Sequence, residues 1–194
     1  MIHIRKLALL GATAMVAVGI IAAPVLAQTT QYPSTTAQKS RATSAKPLGT
    51  TDYLASARTA DLFEVEASKI AVQRAQNKQV RDYAQRVLDD HALSSPKLND
   101  AAIQAGLTPT TPLLTVKQAA KLNELQKASL SSFDKNYILS QIDVHERELR
   151  LHTDYARTGD AMTIKNNSTV MMPLVRKHIA DAKQISGALA NNAS

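Results

Sequence analysis

Apolar residues recur every three to four positions through most of the chain after residue 50, and polar residues fill the positions between them. This spacing places the apolar residues on one face of an α-helix, which is typical of amphipathic helices that pack together. Strand-like alternation is not seen. The pattern predicts an all-α fold with helices at about residues 51–75, 78–105, 115–128, 131–159 and 160–189.

Residues that favour helix starts and stops lie at the predicted ends. Thr51 or Asp52 is expected to cap the first helix and Asp160 the last, because a short polar side chain can accept a hydrogen bond from a free backbone N–H group. Gly106 is expected to end the second helix, since glycine readily adopts the left-handed conformation that follows a helix. Start and stop signals thus agree with the periodicity.

Prolines and asparagines disturb two of the predicted helices. Pro96 and Pro173 each lack a backbone donor and clash with the preceding turn, so each predicts a kink or a break. Asn166 and Asn167 are also weak helix formers. The last helix is therefore expected to be interrupted near residues 166–167.

Four of the predicted helices are long, and the longest connection separates the second long helix from the third. Such a connection is typical of a bundle made of two helical hairpins joined by a crossover. The sequence therefore predicts a four-helix bundle, with the short helix at about 115–128 lying in the crossover.

The first 50 residues differ in composition from the rest. Arg5 and Lys6 precede an almost wholly apolar stretch, and Val25-Leu26-Ala27 suits a cleavage site, which together indicate a secretory signal peptide. An uncleaved anchor is the alternative, because residues 7–27 could just span a bilayer. Residues 28–50 are polar, without apolar periodicity, and predict a disordered linker.

These features predict three regions: a signal peptide over residues 1–27, a disordered polar linker over 28–50, and the helical bundle over 51–190. We expect cleavage after Ala27, export to the periplasm, and no stable membrane insertion of the mature chain. The chain has no cysteine, so neither a disulfide nor a cysteine-ligated metal contributes to the fold.

The net charge of +7 is concentrated before the bundle. Five of the 23 Lys and Arg residues precede Thr50, whereas all 16 Asp and Glu residues follow it, so the bundle has a net charge of only +2. Mixed charges without a basic face and without stacking aromatic residues argue against nucleic-acid binding. An envelope partner remains open, as does the oligomeric state.

Each long helix carries a potential metal ligand on its apolar face. These residues are Glu64, His91, His145 and His178, and each lies near the middle of its helix. In a four-helix bundle the four side chains can converge, and imidazole and carboxylate ligands suit zinc, copper or iron. A hydrogen-bonded core cluster is the alternative, because buried Glu and His side chains need partners of some kind.

Glu148 and His152 lie four residues apart beside His145, and the sequence indicates a solvated or hydrogen-bonded pair, with membership of the metal site as the alternative. The His145-Glu146 dipeptide is not followed by the second histidine of a zinc-protease motif, since Leu149 occupies that position. Glycine-rich phosphate loops and serine nucleophile elbows are also absent. No catalytic residue is predicted.

Four short motifs in order resemble a known family: Asp61-Leu-Phe-Glu-Val-Glu66, Val80 to His91, Phe133-Asp-x-x-Tyr137 ahead of His145-Glu146, and Met172-Pro to His178. The chain resembles the secreted bacterial family called domain of unknown function 4142. The resemblance implies a ferritin-like four-helix bundle and an exported protein, and it implies no activity. Val144 stands where the family commonly has Asp before His.

Two functions follow from these observations. The first is a periplasmic or envelope module that binds a partner, or acts in stress, without catalysis. The second is a bundle that binds one transition-metal ion through Glu64, His91, His145 and His178.

Overall fold

The computed structural model describes residues 48–191. The predicted signal peptide, the cleavage site after Ala27 and residues 28–47 of the predicted linker lie outside the described residues.

Five helices and no strand are found in residues 48–191, which confirms the all-α prediction. The helices are α1 Thr50–Arg74, α2 Lys78–Gln104, α3 Val116–Lys127, α4 Leu130–Thr158 and α5 Met162–Asn191. Within this part of the chain, no helix is both long and apolar enough to cross a membrane.

The four long helices pack in a ring. Helix α1 packs against α2 and α4, and α5 packs against the same two helices. The short helix α3, in the connection between the two hairpins, packs mainly on α1 and also touches α4. This is the predicted four-helix bundle with a crossover helix.

The interior consists of two apolar clusters with polar residues between them. The first apolar cluster surrounds the α1–α2 turn and includes Ala71, Val80, Ala84, Tyr137 and Ala182. The second lies toward the other end of the bundle. It includes Tyr53, Leu54, Leu98, Ala102, Tyr155 and Ile164.

Six buried polar side chains separate these clusters, and we call them the polar layer. Each is at most 5% exposed. They are Glu64, His91, His145, Glu148, His152 and His178.

Several helix boundaries agree with the sequence and others do not. Gly106 follows α2 with a φ of 75°, as its predicted role as a helix stop requires. Helix α1, however, begins at Thr50 with Gly49 as its N-cap, so the predicted cap at Thr51 or Asp52 is wrong. Asp160 lies outside α5, and its carboxylate accepts hydrogen bonds from the hydroxyls of Thr50 and Tyr155.

The predicted interruption of the last helix is also wrong. Helix α5 is continuous through Asn166 and Asn167, and Pro173 lies inside it. Pro96 likewise lies inside the continuous helix α2. Ile164 and Ser168 are fully buried on either side of the asparagines, so packing against the bundle outweighs their weak helix propensity.

Candidate metal centre

The fold brings the four predicted ligands together in the polar layer. Glu64 is on α1, His91 on α2, His145 on α4 and His178 on α5. Each lies on the inner face of its helix, and none is more than 4% exposed. Continuity of α5 places His178 at the level of the other three residues without the interruption that the sequence suggested.

The three imidazoles form a compact group. One ring nitrogen from each of His91, His145 and His178 lies within 4.8 Å of the others. A tetrahedral zinc ion with bonds of about 2.0–2.1 Å holds its nitrogen ligands about 3.4 Å apart. Closing the group around an ion therefore requires only small side-chain movements.

Fixed hydrogen bonds decide which nitrogens of His145 and His178 face each other. Nδ1 of His145 donates to the backbone carbonyl of Gln141 at 2.8 Å, because a carbonyl can only accept. Nε2 of His178 lies 2.8 Å from a carboxylate oxygen of Asp90, to which it donates. The remaining nitrogens, Nε2 of His145 and Nδ1 of His178, are 3.0 Å apart. Two neutral rings in these tautomers thus direct two lone pairs at one point.

His91 lies between two carboxylates. Its Nδ1 bonds to Asp61, and its Nε2 is 2.9 Å from Oε2 of Glu64. The same Glu64 oxygen is 3.8 Å from Nε2 of His145. Among residues 48–191, neither oxygen of Glu64 finds a hydrogen bond of good geometry, although the residue is fully buried. A buried carboxylate in this state requires a cation or a proton.

Glu148 belongs to the polar layer as well. One of its oxygens, together with one from Glu64 and a nitrogen of His145, forms a second group whose atoms all lie within 4.8 Å. Its Oε2 has no hydrogen-bond partner in the part of the chain that the structure describes, and its Oε1 accepts from Nε2 of His152 at 3.2 Å. The solvated alternative for this pair is therefore wrong, since Glu148 is only 5% exposed.

Sequence reasoning left Glu148 outside the four predicted ligands and assigned no role to Asp61 or Asp90. A signal for each was present, because Glu148 lies one helical turn after His145, Asp61 one turn before Glu64, and Asp90 directly before His91. Acidic residues at such positions are usually solvated, and only the packed bundle shows that these three face the histidines.

The two carboxyl groups of the polar layer have pKa values shifted in opposite directions. Burial, and then the negative charge of Glu148, raise the pKa of Glu64 to about 8. Burial would also raise the pKa of Glu148, but its hydrogen bond to His152 and the neighbouring histidine charges lower it to about 2. At neutral pH Glu64 therefore holds a proton in the absence of a metal, while Glu148 is ionised.

The pKa values of the three histidines are also shifted in different directions. Burial lowers the pKa of His145 to about 3, and it lowers the pKa of His178 against the opposing effect of Asp90. Burial would lower the pKa of His91 too, but its hydrogen bond to Asp61 and the Glu64 carboxylate 2.9 Å away raise that pKa well above its usual value. Two of the three imidazoles are thus neutral and able to ligate at neutral pH.

Glu148 also borders two cavities. A cleft of about 530 Å³ lies between α1, α3 and α4, and Phe63, Lys117 and Val144 are among its lining residues. A second cavity of about 20 Å³, large enough for one water molecule, is lined in part by His91 and Glu148. Within the polar layer, Glu148 is thus the residue that lines both cavities.

Comparison with known proteins supports the resemblance noted in the sequence. Residues 33–185 match the family described as domain of unknown function, DUF4142. No curated protein and no solved structure gives a significant match. The match covers more than half of the chain and contains the whole polar layer, so the chain belongs to the DUF4142 family.

Proposed function

We propose that this protein binds one transition-metal ion in the polar layer, through His91, His145 and His178 with Glu64 as the fourth ligand. The observation that carries the proposal is the 3.0 Å approach of Nε2 of His145 to Nδ1 of His178. Each nitrogen presents a lone pair because the other nitrogen of its ring donates to Gln141 or Asp90.

The partners around the histidines support this assignment. Metal-binding histidines commonly donate their second ring nitrogen to a carboxylate or a backbone carbonyl, which fixes the tautomer and the ring orientation. Asp61, Gln141 and Asp90 supply such partners to His91, His145 and His178 respectively. Glu148 is available as a fifth ligand, which would allow a coordination number above four.

Zinc, copper and iron all suit three imidazoles and one or two carboxylates. Divalent copper is expected to bind at least as tightly as zinc, following the general order of affinities for such ligands. Binding requires loss of a proton from His91, and from Glu64 where that residue is protonated, so it releases protons to solvent. The role that we infer is holding a metal ion, and no residue is assigned to catalysis.

We further propose that the metal is held outside the cytoplasm. The basic start, the apolar stretch and the cleavage site at Ala27 support export to the periplasm, with residues 28–50 as a linker to the bundle over 51–190. Intact-mass analysis of a periplasmic extract should show a chain that begins at Gln28. A full-length chain in the inner membrane would contradict this part of the proposal.

Titration calorimetry of the metal-free mature chain, prepared without an affinity tag, tests the metal site. One zinc or copper ion should bind per chain with a dissociation constant below about 10 μM, and it should raise the melting temperature. His91→Ala, His145→Ala and His178→Ala should each abolish that rise. His152→Ala is the matched control, since His152 is equally buried and bonds to Tyr53 and Glu148 instead.

Absence of saturable binding, or equal binding by all four variants, would contradict the metal site. The polar layer would then be a hydrogen-bonded core cluster, and a partner-binding envelope module without catalysis would be the better account of the protein.

A further inference from the structure

Four tyrosines are completely buried, namely Tyr53, Tyr83, Tyr137 and Tyr155, and their hydroxyl groups have different partners. The hydroxyl of Tyr53 lies 2.8 Å from Nδ1 of His152. That of Tyr137 lies 2.8 Å from the hydroxyl of Ser68, and that of Tyr83 has no hydrogen-bond partner within the described bundle, residues 48–191. Among Tyr53, Tyr83 and Tyr137, only Tyr53 has a base next to its phenolic proton.

The tautomer of His152 makes this base available. The Glu148 carboxylate can only accept, so Nε2 of His152 carries a proton and donates it to Glu148 at 3.2 Å. Nδ1 is then the acceptor for the Tyr53 hydroxyl. The three residues form a continuous buried chain, in which none is more than 5% exposed.

Loss of one electron from a phenol makes its hydroxyl proton strongly acidic, so a buried tyrosine is oxidised easily only where a neighbouring base takes that proton. Burial raises the pKa of Tyr53 above its usual value, so the residue holds its proton until it is oxidised. A serine hydroxyl is a poor proton acceptor, which leaves Tyr137 without such a route.

We propose that Tyr53 is a redox-active residue that gives one electron to a strong one-electron oxidant and its phenolic proton to Nδ1 of His152. The O–H bond of Tyr53 breaks, an N–H bond forms on His152, and the products are a neutral tyrosyl radical, an imidazolium and the reduced oxidant. The Glu148 carboxylate stabilises the imidazolium through the hydrogen bond that is already present.

Tyr155 is the alternative location of the radical. Its ring stacks on that of Tyr53 with 4.1 Å between centroids. Its hydroxyl is 2.5 Å from Oγ1 of Thr50 and 3.3 Å from a carboxylate oxygen of Asp160. The longer distance to its base makes Tyr155 the weaker candidate, and the experiment must separate the two rings.

Photo-oxidation of the metal-free mature chain by a ruthenium tris-bipyridine complex, followed by freeze-trapping and electron paramagnetic resonance, tests the proposal. All variants carry Tyr32→Phe, which removes the one tyrosine outside the described residues. A tyrosyl radical is expected, and Tyr53→Phe should reduce its yield at least fivefold. Tyr137→Phe, Tyr83→Phe and Tyr155→Phe should leave the yield unchanged.

A second experiment keeps Tyr53 and replaces His152, the residue that accepts its proton. His152→Gln should lower the radical yield by a similar factor, and deuterium exchange in the parent protein should remove a proton coupling to the radical that arises from His152. Circular dichroism confirms that each variant is folded. A radical that survives in Tyr53→Phe, or one that disappears in Tyr155→Phe alone, would overturn the proposal.

The inference shares Glu148 with the proposed metal site, but its test is independent of that site because it uses metal-free protein. Failure of metal binding would leave the Tyr53 result unchanged, and failure of the radical experiment would leave the metal titration unchanged.

Discussion

The first apolar cluster and the polar layer occupy neighbouring parts of the same bundle, yet they are held together in different ways. In the apolar cluster, residues such as Ala71, Ala84 and Ala182 are fully buried, and their contribution depends on volume and on exclusion of water. In the polar layer, each imidazole has a fixed orientation set by a directional hydrogen bond.

The apolar cluster therefore contributes to the stability of the fold, whereas the polar layer is suited to binding. A buried methyl group stabilises the fold without any further requirement, whereas buried carboxylates such as Glu64 and Glu148 are costly to desolvate unless a partner compensates them. Three carboxylate oxygens in these two residues have no good hydrogen bond to any of the described residues. The polar layer therefore costs stability in the metal-free protein, and that cost is what a bound cation would offset.

The largest effect is expected from placing a charge in the apolar cluster. Ala84 is fully buried, so Ala84→Asp would bury a carboxylate that has no partner and should destabilise the domain by about 4 kcal/mol or unfold it. Urea denaturation followed by circular dichroism measures the change. Ala92→Asp, at an exposed position of the same helix, is the matched control and should cost less than about 1 kcal/mol. Equal stability of the two variants would contradict the position of α2.

Removing the carboxylate of Glu64 should lower metal affinity strongly and stability little, which is the reverse of a change that acts on stability alone. Glu64→Gln keeps the side-chain volume but removes a carboxylate, so zinc affinity should fall about 100-fold while the stability of the metal-free domain changes by less than about 1 kcal/mol. Calorimetry and urea denaturation measure the two quantities. A large loss of stability with unchanged affinity would make Glu64 a structural residue.

A smaller loss of affinity is expected from a residue that orients a ligand. Asp90→Asn weakens the hydrogen bond that fixes the tautomer of His178, and zinc affinity should fall about tenfold. Asp89→Asn is the matched control, because Asp89 is exposed and accepts from Gln85 on the surface. Equal affinities for the two variants would remove Asp90 from the centre.

The apolar cluster could be predicted from the sequence more fully than the polar layer. Periodicity alone places Val80, Ala84 and Val87 on one face of α2, because a helix repeats every 3.6 residues and an apolar face is repeated many times. The convergence of Glu64 with the histidines also followed from their positions at mid-helix. Asp61, Asp90 and Glu148 did not, because their burial depends on the neighbouring helices rather than on their own.

Predictions from the local sequence were wrong where contacts between helices determine where a helix begins or whether it continues. Thr50, Thr51 and Asp52 are consecutive residues that can each begin a helix, and the hydrogen bonds of Thr50 to Tyr155 and Asp160 belong to the distant α4–α5 connection. The asparagines at 166 and 167 weaken a helix by only a fraction of a kcal/mol each. Packing of α5 against α2 and α4 exceeds that amount.

The smallest expected effect is the pH dependence of the stability of the metal-free protein. This dependence also distinguishes the two regions. The apolar cluster contributes equally at all pH values, so the pH dependence comes mainly from the polar layer. Below about pH 6.5, the unfolded state protonates histidines whose folded pKa is lowered, His145 to about 3 and His178 also downward. These two histidines outweigh the opposite contribution of Glu64 between about pH 4.5 and 6.5, so stability falls as pH falls. Ionisation of Glu148 in the folded state acts in the same direction below about pH 4.5.

Above about pH 6.5 the direction of the pH dependence of stability reverses. The folded state retains protons on Glu64, whose pKa is raised to about 8, and on His91, whose pKa is raised, whereas the unfolded state has lost them. Stability should therefore fall again as pH rises through 8, which gives an optimum near pH 6.5 in urea denaturation with a chelator present. Glu64→Gln should flatten the alkaline side, since glutamine does not titrate. Stability that rises steadily to pH 8 in the parent protein would contradict the protonation of Glu64 and His91 in the metal-free bundle.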